Sequence, residues 1–288
     1  MTTTIAFMGL GLMGAGFTRR LAATGHRVIG VDVLSERVEE AKAWGVSGAA
    51  TPAEAAREAD MIGICVTTTK AMETVVLGRD GLVESGAVDG KIVVDFSTSQ
   101  IDATHRVAEA LAAKGAAFID APISGGPGAA EAGSLAIMAG GEPDAFEAVR
   151  AVLETLGKVT HMGPTGAGQA TKLVNQVLCL TNYCVVAEGL RIAEAFGVDA
   201  AKIPAALEPG LANSAVLQSV YPRMVAGDFA PRGYARQILK DFEMLMEATR
   251  SKPVALPMAF QAATLFRMLV ADGKGELDGA AVVELLPK

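Results

Sequence analysis

The chain has 288 residues, 25 of them basic and 32 acidic, for a formal net charge of −7. With no strongly basic segment, a nucleic-acid partner is not expected. Half the residues are hydrophobic (51%) and few are aromatic (5%), so the core is expected to be aliphatic and large enough for two ordinary domains. Cys65, Cys179 and Cys184 show no metal-type spacing, and His26, His105 and His161 are scattered, so no metal site is expected. An odd cysteine count without a framework suits a reducing cytosol.

The opening MTTTIAF runs directly into a strand pattern. It has no charged region followed by an apolar one, so no secretion signal is expected and a cytoplasmic location is. TTIAFM is followed by glycines and a helical stretch to Ala23. HRVIGVD is a second apolar run, and SERVEEAKAW follows with helical spacing, with Ser35 placed to cap it. MIGICV, KIVVDF and AAFIDA are further runs, and Cys65 within the first of them reads as a core residue. Apolar strands interleaved with helices imply a parallel sheet covered on both faces. Ligands of such sheets sit beyond the carboxyl ends of the strands. Here those ends read GLGLMG, Asp32, Thr67–Thr69, Ser97-Thr98 and Pro122–Gly126, each polar or glycine-rich.

Near Gly163 the pattern changes. Glycines and a proline form a break, and a helical pattern then runs from about 166 to 196. Lys172, Glu188 and Arg191 interrupt its apolar residues, so it is expected to be a core helix and not a membrane span. Shorter helical patterns follow near 199–208, 213–226, 234–250 and 256–271. The expected organisation is an α/β domain over 1–163 and an all-α domain over 164–288.

Gly9, Gly11 and Gly14, with Leu10, Leu12 and Met13 between them, form G-x-G-x-x-G after a strand and at a helix start. The first glycine makes the tight turn, the second admits a pyrophosphate, and the third lets the helix pack closely. The helix start then offers amide donors and a positive dipole end. Asp32 ends the second strand, where an acid would bind the ribose hydroxyls of NAD and repel the 2′-phosphate of NADP. Neither Val33 nor Leu34 supplies the arginine that NADP usually needs, and Arg37 reads as surface. NAD is therefore the expected cofactor, in preference to NADP. Further on, Ser124, Gly125 and Gly126 can form a small nest for a carboxylate. Lys172, Asn175 and Gln176 lie on one face of the long helix. Asp95 reads as structural or as an orienter of Ser97, and Trp44 as packing.

GLGLMG (9–14), DAPISGG (120–126), GAGQATKLVNQ (166–176) and LKD (239–241), in this order, resemble the β-hydroxyacid dehydrogenase family across the whole chain. The resemblance implies an N-terminal Rossmann domain with a parallel-core sheet, joined by a long helix to a helical C-terminal domain. It implies that Lys172 is the catalytic lysine and that Ser124, Gly125 and Gly126 bind substrate. Thr98 would contact the nicotinamide side, Val66 and Thr67 a cofactor loop, and Lys240 both cofactor and substrate. Asn175 matches the amide after the catalytic lysine. Gln176 stands where many members have a second asparagine, and K-x-x-N-Q is similar to tartronate semialdehyde (2-hydroxy-3-oxopropionate) reductases and threonate-type dehydrogenases. The 3-hydroxyisobutyrate branch more often has the asparagine pair. Residues 213–232 also look more like the sugar-acid branches. The family resemblance further implies a homodimer or homotetramer.

The chemistry follows from these residues. A free lysine, with a pKa of about 10.4, is a poor base at neutral pH. Desolvation, an oxidised nicotinamide and the second cation of Lys240 would all lower it. The expected reaction interconverts a small 3-hydroxy acid and its semialdehyde or keto acid, with Lys172 handling the hydroxyl proton. Imine reduction on the same scaffold is disfavoured by the presence of Lys172. A non-catalytic module that senses dinucleotide redox state is the alternative of a different class, and the retained Lys172 and Ser124 count against it.

Overall fold

The computed structural model describes residues 2–287. Among them, nine strands form one sheet: β1 (Thr4–Met8), β2 (Arg27–Val31), β3 (Ser47–Gly48), β4 (Met61–Ile64), β5 (Ile92–Asp95), β6 (Ala117–Asp120), β7 (Ile123–Ser124), β8 (Leu135–Gly140) and β9 (Gly157–Gly163). The order is β3-β2-β1-β4-β5-β6-β8-β7, with β9 beside β8. From β3 to β6 all pairs are parallel, whereas β8 runs antiparallel to β6 and β7. The helices of this part are α1 (Leu12–Ala23), α2 (Ser35–Ala41), α3 (Pro52–Glu58), α4 (Thr69–Leu77), α5 (Ile101–Ala112), α6 (Gly126–Ala132) and α7 (Pro143–Leu156).

The sheet is covered on both faces, as the apolar runs require. Along β1, Ile5 and Phe7 enter one core cluster while Ala6 and Met8 enter another. This is the two-residue alternation of a strand, with apolar residues on each side. Phe7, Phe17 and Phe96 pack together with ring centroids 4.7–6.1 Å apart. Strand order reverses at β1, whose neighbours are β2 on one side and β4 on the other. That reversal opens a crevice beyond the strand ends, at the glycine loop.

Four strands were not expected from the sequence. Two of them, β3 and β7, are two residues long. The other two, β8 and β9, lie beyond the parallel core. On β9 only alternate residues are partly covered, so the segment has no apolar run. Ser35 also differs from expectation. It is the first residue of α2 and does not cap it; Leu34 occupies the cap position, and its amide donates to Asp32 Oδ1 at 2.9 Å.

The chain divides into two compact units after Lys172. The division falls inside α8 (Ala167–Ala195), a continuous helix of 29 residues. Its first turns belong with the sheet because buried Asp120, at the end of β6, holds them. Asp120 Oδ1 accepts the Gly166 amide and Oδ2 the Gln169 amide, both at 2.8 Å. A carboxylate here satisfies orphan donors of the helix start and complements its dipole.

The second unit is helical, with α9 (Ile203–Leu207), α10 (Ala215–Ser219), α11 (Tyr221–Ala226), α12 (Ala235–Thr249) and α13 (Pro257–Leu269), then a short 3-10 stretch, Gly279–Leu285. Leu180, Ala187 and Leu190 of α8 pack with Tyr221, Phe242, Phe266 and Val282 in its core. Buried Asp278 organises the polar part. It pairs with Arg223 at 3.0 Å and accepts the amides of Arg232, Gly233 and Ala280. By length and composition α8 could cross a bilayer, but its inner face is occupied by this core.

Asp120 gives the fold a pH dependence. Burial pushes its carboxyl up from 3.8 to about 7, against the pull of the Gly166 and Gln169 amides, and Asp95 adds to the rise. The folded state thus holds this proton more tightly than the unfolded chain. Its contribution to stability is complete below about pH 4 and is lost as pH rises to about 7. Within that window stability should fall by up to about 1.4 kcal/mol per pH unit. Urea titrations at about pH 5 and about pH 7 should show this fall in the wild type and its loss in Asp120→Asn. Equal pH slopes in the two proteins would rule out Asp120 as its source.

Candidate functional site

The glycine loop has the geometry that its spacing implies. Gly9 has φ +96°, and a Cβ there would lie 2.2 Å from the Cys65 carbonyl oxygen. A Cβ on Gly14 would lie 1.9 Å from the Gly9 carbonyl oxygen, so α1 sits directly on the turn. Gly11 differs: the nearest atom to a Cβ placed there is Arg37 Nη1, at 3.5 Å. Gly11 is also the N-cap of α1 and brings no capping side chain. Backbone that a ligand can approach, followed by uncapped helix amides, fits a pyrophosphate. Leu10, Leu12 and Met13 fill the loop between the glycines, and Met13 packs on the core.

Asp32 is fixed beside this loop. Its Oδ2 accepts the Leu10 amide at 2.7 Å, and its side chain is nearly buried. Arg37 is not simply surface: its Nη1 lies 3.5 Å from Asp32 Oδ2 and at the edge of Gly11. One turn of α2 carries the guanidinium back over the strand end, which a strand-end reading cannot see.

The next strand ends are coupled to each other and to α8. The Val66 amide donates to Ser97 Oγ at 2.9 Å, and Thr67 beyond it is exposed. Buried Asp95 accepts the Ser97 amide at 2.9 Å and the Ser99 hydroxyl at 3.0 Å. It therefore orients both serines around half-buried Thr98. Gln169 completes the group, accepting the Ser99 amide at 3.0 Å and donating to the Ser97 carbonyl at 2.9 Å. Cys65 is partly covered by the core, and burial pushes its thiol up to about 12, so it stays a neutral packing group.

Ser124 ends β7, and Gly125 and Gly126 follow with φ +138° and +76°. Only glycine enters these conformations freely, so the chain turns sharply directly after the serine. The preceding residue links this turn to the helix. Lys172 is buried, and its Nζ donates to the Ile123 carbonyl at 2.7 Å. The ammonium thus contacts the same segment of backbone that carries Ser124, Gly125 and Gly126. An ammonium has three donors, and this carbonyl fixes the direction of one of them.

The second unit carries its own polar group. Asn175 Nδ2 donates to Gln176 Oε1 at 2.7 Å, and Gln176 Nε2 donates to Asp241 Oδ2. Lys240 Nζ lies 3.1 Å from Asp241 Oδ1. Asn175, Gln176 and Lys240 therefore belong to one network built on α8 and α12. Trp44 packs as expected, donating to Thr18 Oγ1 at 3.2 Å beneath the Arg19 guanidinium. No group of three or more metal-ligating side chains occurs among the described residues.

Sequence reasoning passed over Gln169 and Asp120. Both lie inside the quoted motifs. The available signal was an acid closing an apolar strand and an amide side chain in the first turn of a helix.

Comparisons with known proteins agree with this geometry. Residues 4–163 match the model for the NAD-binding domain of 6-phosphogluconate dehydrogenase. Residues 166–286 match the one described as NAD-binding of NADP-dependent 3-hydroxyisobutyrate dehydrogenase. The chain is 32% identical to the 2-hydroxy-3-oxopropionate reductase of Escherichia coli over 283 residues, covering 98% of this chain and 96% of the relative. The solved structure of Mycobacterium tuberculosis 3-hydroxyisobutyrate dehydrogenase with L-serine is 29% identical, with TM-score 0.87 and full coverage of both chains. That of Psf3 with NADP+ and 2-OPP is 25% identical, with TM-score 0.91 over 98% of this chain and 100% of that one. A glycine loop shaped for a dinucleotide, and matches that span both units, establish that the chain belongs to the β-hydroxyacid dehydrogenase family of nicotinamide-dependent oxidoreductases acting on CH–OH groups.

Proposed function

We propose that this enzyme interconverts a small 3-hydroxy acid and its semialdehyde, with NAD as redox partner and Lys172 as general acid and base. The observation that carries the proposal is the Lys172 ammonium held 2.7 Å from the Ile123 carbonyl, one residue before Ser124. An amine beside a carboxylate nest is what a hydroxy acid needs: one end is anchored and the proton-bearing end faces the amine. The bound dinucleotide supplies the hydride chemistry. In reduction, Lys172 gives a proton to the forming alkoxide; in oxidation, its neutral form takes the hydroxyl proton. Ser124 donates its hydroxyl to the carboxylate, and the Gly125 and Gly126 amides surround it. Gln169 and Asp95 hold Ser97 and Ser99, so that Thr98 faces the nicotinamide side in a fixed backbone. Val66 and Thr67 line the cofactor loop, while Asn175, Gln176 and Lys240 contact the polar part of the substrate.

Among substrates, K-x-x-N-Q and the Escherichia coli relative favour 2-hydroxy-3-oxopropionate or a related sugar acid. 3-Hydroxyisobutyrate is the alternative, favoured by the second family model. A panel of tartronate semialdehyde, glycerate, threonate and 3-hydroxyisobutyrate, followed at 340 nm, separates them. Lys172→Ala should lower kcat by about 10²- to 10⁴-fold. NADH affinity, read by fluorescence titration, should stay within about 2-fold of wild type, because the glycine loop is untouched. Near-normal turnover would eliminate the lysine mechanism. Tight NADH binding by the wild type with no turnover of any hydroxy acid would favour the dinucleotide-sensing module.

Arg37 supports a second reading, in which NADP is used. With Asp32 beside the glycine loop, the expected preference is NADH, measured as the ratio of kcat/KM values for NADH and NADPH. Asp32→Ser removes the repulsion and frees Arg37, and should shift that ratio towards NADPH by about 10-fold or more. The double variant with Arg37→Ala should lose the gain. A wild type that already prefers NADPH would make Arg37 the phosphate-reading residue and overturn the NAD assignment.

A further inference from the structure

Gln169 lies in the first turn of α8, within the first unit, and is almost fully buried (1% exposed). Its side chain reaches the loop that follows β5. There Oε1 accepts the Ser99 amide at 3.0 Å and Nε2 donates to the Ser97 carbonyl at 2.9 Å. A carbonyl before a residue and an amide after it are the pair that a neighbouring strand takes in a parallel ladder. Gln169 takes that pair around Thr98 with a side chain in place of a strand. Among the described residues, no other hydrogen bond joins residues 97–99 to α8.

Both ends of this bridge are held. On the loop side, Asp95 accepts the Ser97 amide and the Ser99 hydroxyl, and Ser97 Oγ accepts the Val66 amide. On the helix side, Asp120 Oδ2 accepts the Gln169 amide. A Cβ on Gly140 would lie 2.7 Å from the Gly168 nitrogen, so the start of α8 lies directly against the end of β8. Three residues beyond Gln169, the Lys172 ammonium is directed at the Ile123 carbonyl. A side chain of fixed length therefore spans from the Thr98 backbone to the turn that carries Lys172.

The reaction needs such a spacer. In reduction the carbonyl carbon takes the hydride from the dinucleotide, while the oxygen takes the C=O electron pair and a proton from Lys172. Two groups on different elements must reach one C–O group together. A misplacement of about 1 Å in such an arrangement costs about 10²-fold in rate. We infer that Gln169 is a positioning residue for this step: its side-chain amide sets the separation between the Thr98 backbone and the Lys172 turn. The inference rests on the roles proposed above for Lys172 and Thr98.

Gln169→Met keeps the length of the side chain and removes both bonds. Its kcat, per active site counted by NADH titration, should fall about 30-fold or more, with NADH affinity within about 3-fold of wild type. In the Lys172→Ala background the same substitution should cost at least about 5-fold less, because the two residues act as a unit. Gln169→Glu tests the bonds themselves. A protonated carboxyl can accept from Ser99 and donate to Ser97 as the amide does, whereas a carboxylate has no proton for the Ser97 carbonyl. The ratio of its kcat to that of the wild type should rise about 10-fold from about pH 9 to about pH 5, and that of Gln169→Met should not. Asp95, Asp120, Cys65, His105 and Lys172 surround this site in both proteins, so the ratio isolates the introduced group. Near-normal kcat in Gln169→Met, a loss matched by an equal loss of NADH-binding sites, additive losses in the double variant, or a flat ratio for Gln169→Glu would each overturn the proposal. Near-normal turnover of Lys172→Ala alone would instead overturn the lysine assignment, and this inference with it.

Discussion

The arrangement depends on one buried carboxylate. Asp120 closes a strand, and its two oxygens take two amides at the start of α8. A helix start has four donors with no partner inside the helix, and leaving them unpaired away from water is costly. Here strand β6 provides the acceptor, so the end of the sheet and the start of the helix are fixed to each other. Lys172 lies only three residues beyond Gln169, less than one turn into the held segment. Its ammonium is thereby positioned against Ile123, on the same stretch of chain that leaves Asp120. The space is tight: a Cβ on Gly168 would lie 2.4 Å from the Met138 carbonyl oxygen and 2.5 Å from that of Asp120. The GxGQ segment is thus set by close approach of backbone, and Gln169 carries the same register across to Ser97 and Ser99.

Much of this was legible in the residues, for definable reasons. The glycine loop could be read because each glycine answers a separate steric demand: a Cβ would come within about 2 Å of a carbonyl oxygen at Gly9 and Gly14, whereas at Gly11 it would meet only the Arg37 side chain, at 3.5 Å. The strands of the parallel core could be read because burial on both faces needs unbroken apolar runs. The same logic explains what was missed. On β9 Lys158, Thr160 and His161 interrupt the apolar residues, and β3 and β7 are too short to carry any period; β8 is an apolar run, LAIMAG, that was passed over. The α2 cap was misread because a serine in the right place loses to a neighbouring aspartate whose carboxylate already bonds the cap amide. Arg37 shows the limit of reading strand ends alone: its role depends on a helical turn that returns the side chain towards the strand it follows.

In the second unit an acid again does the organising. Asp278 is buried with Arg223 and accepts three amides, so both charge and lone pairs are satisfied. Removing Arg223 would leave the buried Asp278 charge without its cation, which costs more than the pair contributes, whereas Arg223 also pairs with Asp228 at 3.1 Å. The local pattern around Asp278 marks only its cap of the Ala280 amide, because its other partners lie 45 to 55 residues away in the chain.

Helix α8 shows why composition alone misjudges such an element. Its apolar content is high enough for a bilayer, yet the content divides among faces with different surroundings. Residues 167–172 are held by hydrogen bonds from the sheet domain. Leu180, Cys184, Ala187 and Leu190 lie in the helical core, at the three- and four-residue steps of one face. Val174, Leu178, Val185 and Ile192 make a second stripe at similar steps, rotated away from the first. A helix that serves only its own core needs one such stripe and carries polar residues opposite it. The helical core covers one of these stripes and leaves the other exposed.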